Sequence, residues 1–160
     1  MDKYLLRCCE LMAEKKLSIA FVESATGGRV TSEFSLVPGA GDFLKGGLVC
    51  YDAKLKESLL RVPKKLIEEE TPESMKVTEA IAKSLAEYIP ADIHVGITGL
   101  TAPGGSETPE KPVGTMFIVG VQKNKKLFSS RTVFYGSPED IVEQTVFQVA
   151  KLLNGYLNQL

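Results

Sequence analysis

Phe21-Val22-Glu23-Ser24-Ala25-Thr26-Gly27-Gly28 is the stretch on which the reading of this chain turns. An apolar, β-prone run through Leu17, Ile19, Phe21 and Val22 stops at hydroxyl residues and a glycine pair. Helical apolar spacing then resumes at Val30, Phe34, Leu36 and Val37. The pattern predicts a strand feeding a tight turn that opens a helix. Ser24 and Thr26 are N-cap types, because their hydroxyls can accept from N–H groups that the first helical turn leaves unpaired. Gly27 and Gly28 let backbone approach a ligand closely and tolerate positive φ. A helix N-terminus also presents free donors and the positive end of a dipole, so an anion or a developing oxyanion fits there. Taken alone, the octapeptide reads equally well as a capped turn that binds nothing, since hydroxyl-glycine turns are common.

Working outward, Asp2 to about Lys16 has a helical apolar face in Leu5, Cys9, Leu11 and Met12. Downstream, the Pro38-Gly39-Ala40-Gly41 corner leads to a second strand over Gly47–Tyr51. Tyr51 thereby sits at a strand's C-terminal end, where ligands bind in open α/β sheets. Asp52 is an N-cap candidate for a basic helix containing Lys54 and Lys56. A short helical turn at Lys64–Ile67 follows, then Glu68-Glu69-Glu70, a solvated surface run. A longer helix extends to about Tyr88 with Val77, Ile81, Ser84, Leu85 and Tyr88 on its inner side, and a third strand covers Asp92–Ile97. The Thr98–Pro112 loop is rich in glycine, proline and hydroxyls, and is too long for a passive connector in a compact domain. Strands over Val113–Val121 and Leu127–Phe134, joined by a hairpin at Asn124, precede a last helix capped by Ser137 with Pro138 at its first position. This order predicts an α/β fold: a three-layer α/β/α sandwich on a mixed, partly parallel sheet, forming a single domain over residues 1–160.

The 160 residues are 44% apolar and 24% charged with net charge −1, ordinary for a globular domain. The absence of basic bias argues against nucleic acid as a partner. No apolar run is long enough to span a bilayer, and the N-terminus does not read as a signal peptide. Cys8, Cys9 and Cys50 lack metal-ligand spacing, and their odd number argues for reduced, buried thiols in the cytoplasm. The only histidine, His94, lies within a strand pattern, and with neither histidine nor cysteine clusters no transition-metal centre is expected.

The chemistry-bearing residues fall in the Ser24 turn, the Tyr51–Lys56 segment and the Thr98–Lys111 loop. With His94 inside a strand, a Ser-His-Asp triad is not available to Ser24. A serine can instead be activated by lysine or tyrosine, given a lowered pKa or a hydrogen-bond relay. Lys56 lies about one helical turn beyond Asp52 and can point back toward the strand end that carries Tyr51.

These segments together resemble the CinA C-terminal domain family, the nicotinamide-nucleotide amidohydrolases. Glu23-Ser24-Ala25-Thr26-Gly27-Gly28 is similar to the family's ESCTGG signature, and Pro38-Gly39-Ala40 with Phe43, Gly46 and Gly47 to its PGSS-x-x-F-x-GG segment. Tyr51-Asp52-Ala53-Lys54-Leu55-Lys56 is similar to Y-[ST]-N-x-x-K. Thr98-Gly99-Leu100, Pro103 and Lys111-Pro112-Val113-Gly114-Thr115 are similar to its TGIAGP…KPVGT loop. The resemblance implies hydrolysis of the carboxamide of nicotinamide mononucleotide to the nicotinate nucleotide and ammonia, without metal or cofactor. It implies Ser24 as nucleophile, Tyr51 and Lys56 as base and relay, and substrate contacts from Thr26, Gly27, Gly28, Arg29, Thr98, Gly99, Lys111 and Arg131. The small-molecule partner is thus a pyridine nucleotide, and a homo-oligomer is expected. The sequence departs from the family pattern at Ala25, at Ala53 in place of asparagine, at Thr101-Ala102, and by one extra residue between Pro103 and Lys111. Pro138 and Val142 stand where the family has arginines, with Arg29 and Arg131 as substitutes for binding phosphate. A diverged homologue that binds a nucleotide or a protein partner is the alternative reading.

Overall fold

The computed structural model describes residues 2–160. A five-stranded sheet in the order β2-β1-β3-β4-β5 forms its middle layer, built from β1 (Ile19–Glu23), β2 (Leu44–Val49), β3 (Ile93–Gly99), β4 (Thr115–Gln122) and β5 (Lys125–Val133). β1 runs parallel to both β2 and β3, whereas β4 and β5 are antiparallel.

Alternation along β1 sends its side chains to two cores. Ile19 and Phe21 join the larger one, with α1 (Lys3–Glu14), α2 (Arg29–Ser35), α3 (Ala40–Phe43) and α7 (Pro138–Leu157). Ala20 and Val22 face the other, under α6 (Met75–Leu85), with Leu66 and Ile67 of α5 (Lys64–Glu70) packed at its margin. Each large apolar side chain fully withdrawn from water contributes about 1.5–3 kcal/mol. The rings of Phe21 and Phe34, with centroids 4.7 Å apart, fix α2 on the sheet. The predicted three-layer arrangement is the one observed.

Several boundaries differ from the sequence reading. β2 begins at Leu44 and ends at Val49, earlier at both ends than predicted: a register shift beside Ile19/Ala20 leaves Lys45 without a partner at its start, and its last residue, Val49, pairs with Glu23, the last residue of β1. Tyr51 consequently lies beyond the strand. The glycine corner contains a short helix, α3, that apolar spacing did not signal. The acidic run continues α5, where Lys64–Glu68 and Lys65–Glu69 pairs lie on an exposed face. No helix among the described residues is long and apolar enough to cross a membrane. Cys8, Cys9 and Cys50 are buried and unbridged, and burial pushes the Cys50 thiol above its ordinary value while nearby Lys56 opposes that shift.

The close approach of α6 to β3 depends on Gly96. A Cβ there would stand 2.6 Å from the Thr78 carbonyl oxygen and 3.1 Å from Ala82 Cβ. Gly96→Ala is therefore expected to push α6 outward and lower stability by about 1–3 kcal/mol, read as a lower urea midpoint at unchanged slope.

Candidate active site

β1 is flanked by connections that leave on opposite faces of the sheet. The chain reaches β2 through α2 and α3, and returns to β3 through α4 (Ala53–Ser58), α5 and α6. A crevice opens outside the carboxyl ends of strands at such a switch point. Here a cavity of about 350 Å³ is lined by Ser24, Tyr51, Glu73 and the Gly99–Gly105 segment, among others. Its volume is at the small end of the roughly 300–1,000 Å³ usual for ligand sites.

Ser24 follows β1 directly. Its N–H donates to the Ile97 carbonyl at 3.0 Å, and Cys50 N–H donates to the Glu23 carbonyl at 2.8 Å, so both neighbouring strands brace the turn. Lys56 is fully buried in α4, whose N-cap Asp52 accepts from Lys54 N–H at 2.9 Å. Its Nζ lies 3.1 Å from Ser24 Oγ, in hydrogen-bond contact. This is a buried amine facing a hydroxyl, with no carboxylate bridged to it among the described residues. Tyr51 is brought to the same cavity but not into this pair. The residue is 68% exposed and its hydroxyl bonds to no described residue. Lys56, and not Tyr51, is in direct contact with Ser24.

The N-terminus of α2 is not open to an external anion. Glu23 is fully buried, and its carboxylate accepts from Gly28 N–H, Val30 N–H and Thr31 N–H at 3.1, 3.0 and 2.7 Å. The hydroxyls of Thr26 and Thr31 also donate to it, at 2.6 and 2.7 Å. Gly28, in the left-handed region at φ 97°, is the N-cap position, in place of the hydroxyl cap predicted from Ser24 and Thr26. The Thr26 side chain and the Gly28 amide are therefore committed within the chain, and Gly27 N–H donates to the Ser24 carbonyl at 3.0 Å. The N–H groups of Ala25 and Thr26 have no partner among the described residues, which leaves them as the donors this turn can offer.

The cations assigned to substrate lie elsewhere. Arg29 lines a separate cavity of about 180 Å³ between α1, α2 and α7 and pairs with Glu33 at 2.8 Å. Arg131, on β5, covers the Phe117 ring and donates to the Glu110 carbonyl. Lys111 Nζ donates to Thr71 Oγ1, the Glu73 carbonyl and Ser106 Oγ at 2.6, 3.0 and 2.8 Å, and burial lowers its ammonium from the ordinary value. It ties the long loop to the corner before α6. Thr98 is fully buried, with Oγ1 2.8 Å from Thr78 Oγ1, and acts in packing, whereas Gly99 does line the cavity. His94 is buried, with Nε2 2.7 Å from the Ile89 carbonyl oxygen. Among the described residues, no group of His, Cys, Asp and Glu is arranged to hold a metal ion.

The profile of the CinA C-terminal domain matches residues 2–157. The chain belongs to the CinA C-terminal domain family. CinA-like proteins from Desulfotalea psychrophila and Thermotoga neapolitana are 33% and 34% identical over 94% and 99% of this chain. These alignments cover 36% and 38% of those relatives, so the chain spans little more than a third of their length. A CinA superfamily crystal structure from Klebsiella pneumoniae superposes with TM-score 0.92 at 21% identity, covering 99% of this chain and 98% of that one. One from Enterobacter cloacae gives 0.89 at 25% identity, covering 97% and 90%.

Within the CinA fold, Pro138 and Val142, the positions at which the sequence resemblance expects arginine, fall at the start of α7. Pro138 is its first residue, and Ser137 and Asp140 form a reciprocal capping box there. Asp140 is held below the usual carboxylate range by its hydrogen bonds from the Ser137 hydroxyl and N–H. The residue that sequence reasoning missed is Glu23. Its signal was the glutamate ending a buried strand immediately before a helix N-terminus, which is where a carboxylate can satisfy orphan amides.

Proposed function

We propose that this CinA domain is a serine amidohydrolase that converts nicotinamide mononucleotide to nicotinate mononucleotide and ammonia. The observation that carries the reading is the buried Lys56 Nζ–Ser24 Oγ contact of 3.1 Å at the mouth of the β1 crevice. In the reaction, Lys56 as the neutral amine takes the Ser24 proton while Oγ attacks the carboxamide carbon. The Ala25 and Thr26 N–H groups are the donors available to the oxyanion. Lys56 returns its proton to the departing nitrogen, ammonia leaves, and an ester on Ser24 remains. A water molecule, deprotonated by Lys56, then attacks that ester to give the carboxylate and regenerate the serine.

Ammonia release from nicotinamide mononucleotide by the purified protein tests the reading. Lys56→Met is expected to lower kcat by roughly 10²–10⁴-fold with little change in KM, the effect of removing a general base. Wild-type kcat in that variant would remove Lys56 from the mechanism. A second reading, a homologue that binds a nucleotide or protein without turnover, draws on the loss of arginine at positions 138 and 142 and on the engagement of Arg29 and Arg131 outside the cavity. Mononucleotide binding without ammonia release would establish it.

A further inference from the structure

The residues lining the cavity beside Ser24 include one acidic residue, Glu73, and no lysine or arginine among the described residues, while Lys111, one hydroxyl behind it, is coupled to the Glu73 charge. Glu73 precedes Ser74, the N-cap of α6. Its Oε2 accepts from Ser106 Oγ, which in turn accepts from Lys111 Nζ at 2.8 Å. The carboxylate is thus held in place by a hydroxyl, while Oε1 has no hydrogen-bond partner among the described residues. Lys111 directs its donors to Thr71, Ser106 and the Glu73 carbonyl, and does not line the cavity. Tyr51 adds an exposed aromatic face to the same cavity.

We propose that Glu73 and Tyr51 select for positive charge on the substrate ring, so that the site discriminates against the uncharged dihydropyridine counterpart of the mononucleotide. The inference rests on the amidohydrolase reading and names specificity-determining residues of the same site. A carboxylate attracts the ring cation through space, and the face of a tyrosine ring adds a cation–π attraction. A neutral ring of the same shape keeps the stacking contact with Tyr51 but loses both charge-dependent attractions. After hydrolysis the ring carries a carboxylate, which Glu73 repels, so the same side chain that favours substrate entry favours product departure.

The test compares oxidised and dihydro nicotinamide mononucleotide, which share ribose, phosphate and amide. In Ser24→Ala, the oxidised form is expected to bind about tenfold more tightly. Adding Glu73→Gln should weaken only the oxidised form and bring the two dissociation constants together. Glutamine keeps an acceptor for Ser106 Oγ and so preserves the loop tether. With Ser24 intact, Glu73→Gln should raise KM for the oxidised form about tenfold while kcat stays within a few-fold. Equal affinities in Ser24→Ala, or a preference that survives Glu73→Gln, would overturn the proposal. If wild-type protein still releases ammonia in that case, charge selection alone is wrong and the amidohydrolase reading stands. If neither form binds and no ammonia appears, both fall.

Discussion

Ser24→Ala is expected to abolish ammonia release, lowering kcat by on the order of 10⁴-fold or more, while the protein stays folded and still binds the mononucleotide. A covalent route has no substitute once its nucleophile is gone, so the loss greatly exceeds that from removing a positioning contact. The structural cost is smaller. Ser24 is 5% exposed and is the hydrogen-bond partner of buried Lys56, so alanine leaves the amine without its hydroxyl. A buried polar group deprived of its partner costs about 1–3 kcal/mol, a fall of several degrees in Tm for a domain of this size. Kinetics and melting should therefore separate cleanly. A variant that melts early but turns over at the wild-type rate would show that Ser24 serves the fold only. Full activity at full stability would remove the serine from the mechanism.

Glu23→Ala is expected to be strongly destabilising, on the order of 3–5 kcal/mol, with Tm lowered by ten degrees or more. The carboxylate accepts three backbone N–H groups and two hydroxyls in a fully buried position. Hydrogen bonds to a charged group are worth about 1.5–3 kcal/mol each, and a carboxylate at a helix N-terminus gains a further dipole interaction. Alanine leaves these donors facing a void. Glu23→Gln keeps the volume but sets an NH₂ group against N–H donors, and should recover only part of the loss. Chemical denaturation of the three proteins provides the measurement. Equal midpoints for wild type and Glu23→Ala would mean that solvent satisfies those donors instead.

The contrast between these two neighbours shows what the sequence made legible. The strand, the turn and the helix after it followed from the shift in apolar period between Phe21 and Phe34, and the sheet layers from element order. Lys56 was found because its spacing from Asp52 sets its direction, and capping chemistry is local. The partners of polar side chains were not legible, since they depend on which distant segments the topology brings together. Arg29 reads as a phosphate ligand beside a glycine pair, yet the packing of α7 supplies Glu143, 3.8 Å away, in addition to Glu33. Lys111 reads as a substrate contact, yet the corner at Thr71–Glu73 lies within its reach. Tyr51 reads as a strand end, but β1 turns away at Glu23, so the strand paired with it stops at Val49. Glycines and hydroxyls pointed to an anion site at the head of α2, whereas the chain had an internal carboxylate to place there.

The position of β1 between β2 and β3 also governs when in the life of the polypeptide the Ser24–Lys56 contact exists. The turn that carries Ser24 is near the start of the chain, but the carbonyl that holds its N–H belongs to Ile97. Lys56 lies 32 residues further along the chain and meets Ser24 only once α4 is in place. During synthesis Ser24 leaves the ribosome long before the strand that braces it. Parallel pairings over such sequence distances form late, because loop closure must precede any gain from contact. A nascent or partly refolded chain therefore has the serine without the amine, and hydrolytic competence should be among the last properties the domain acquires.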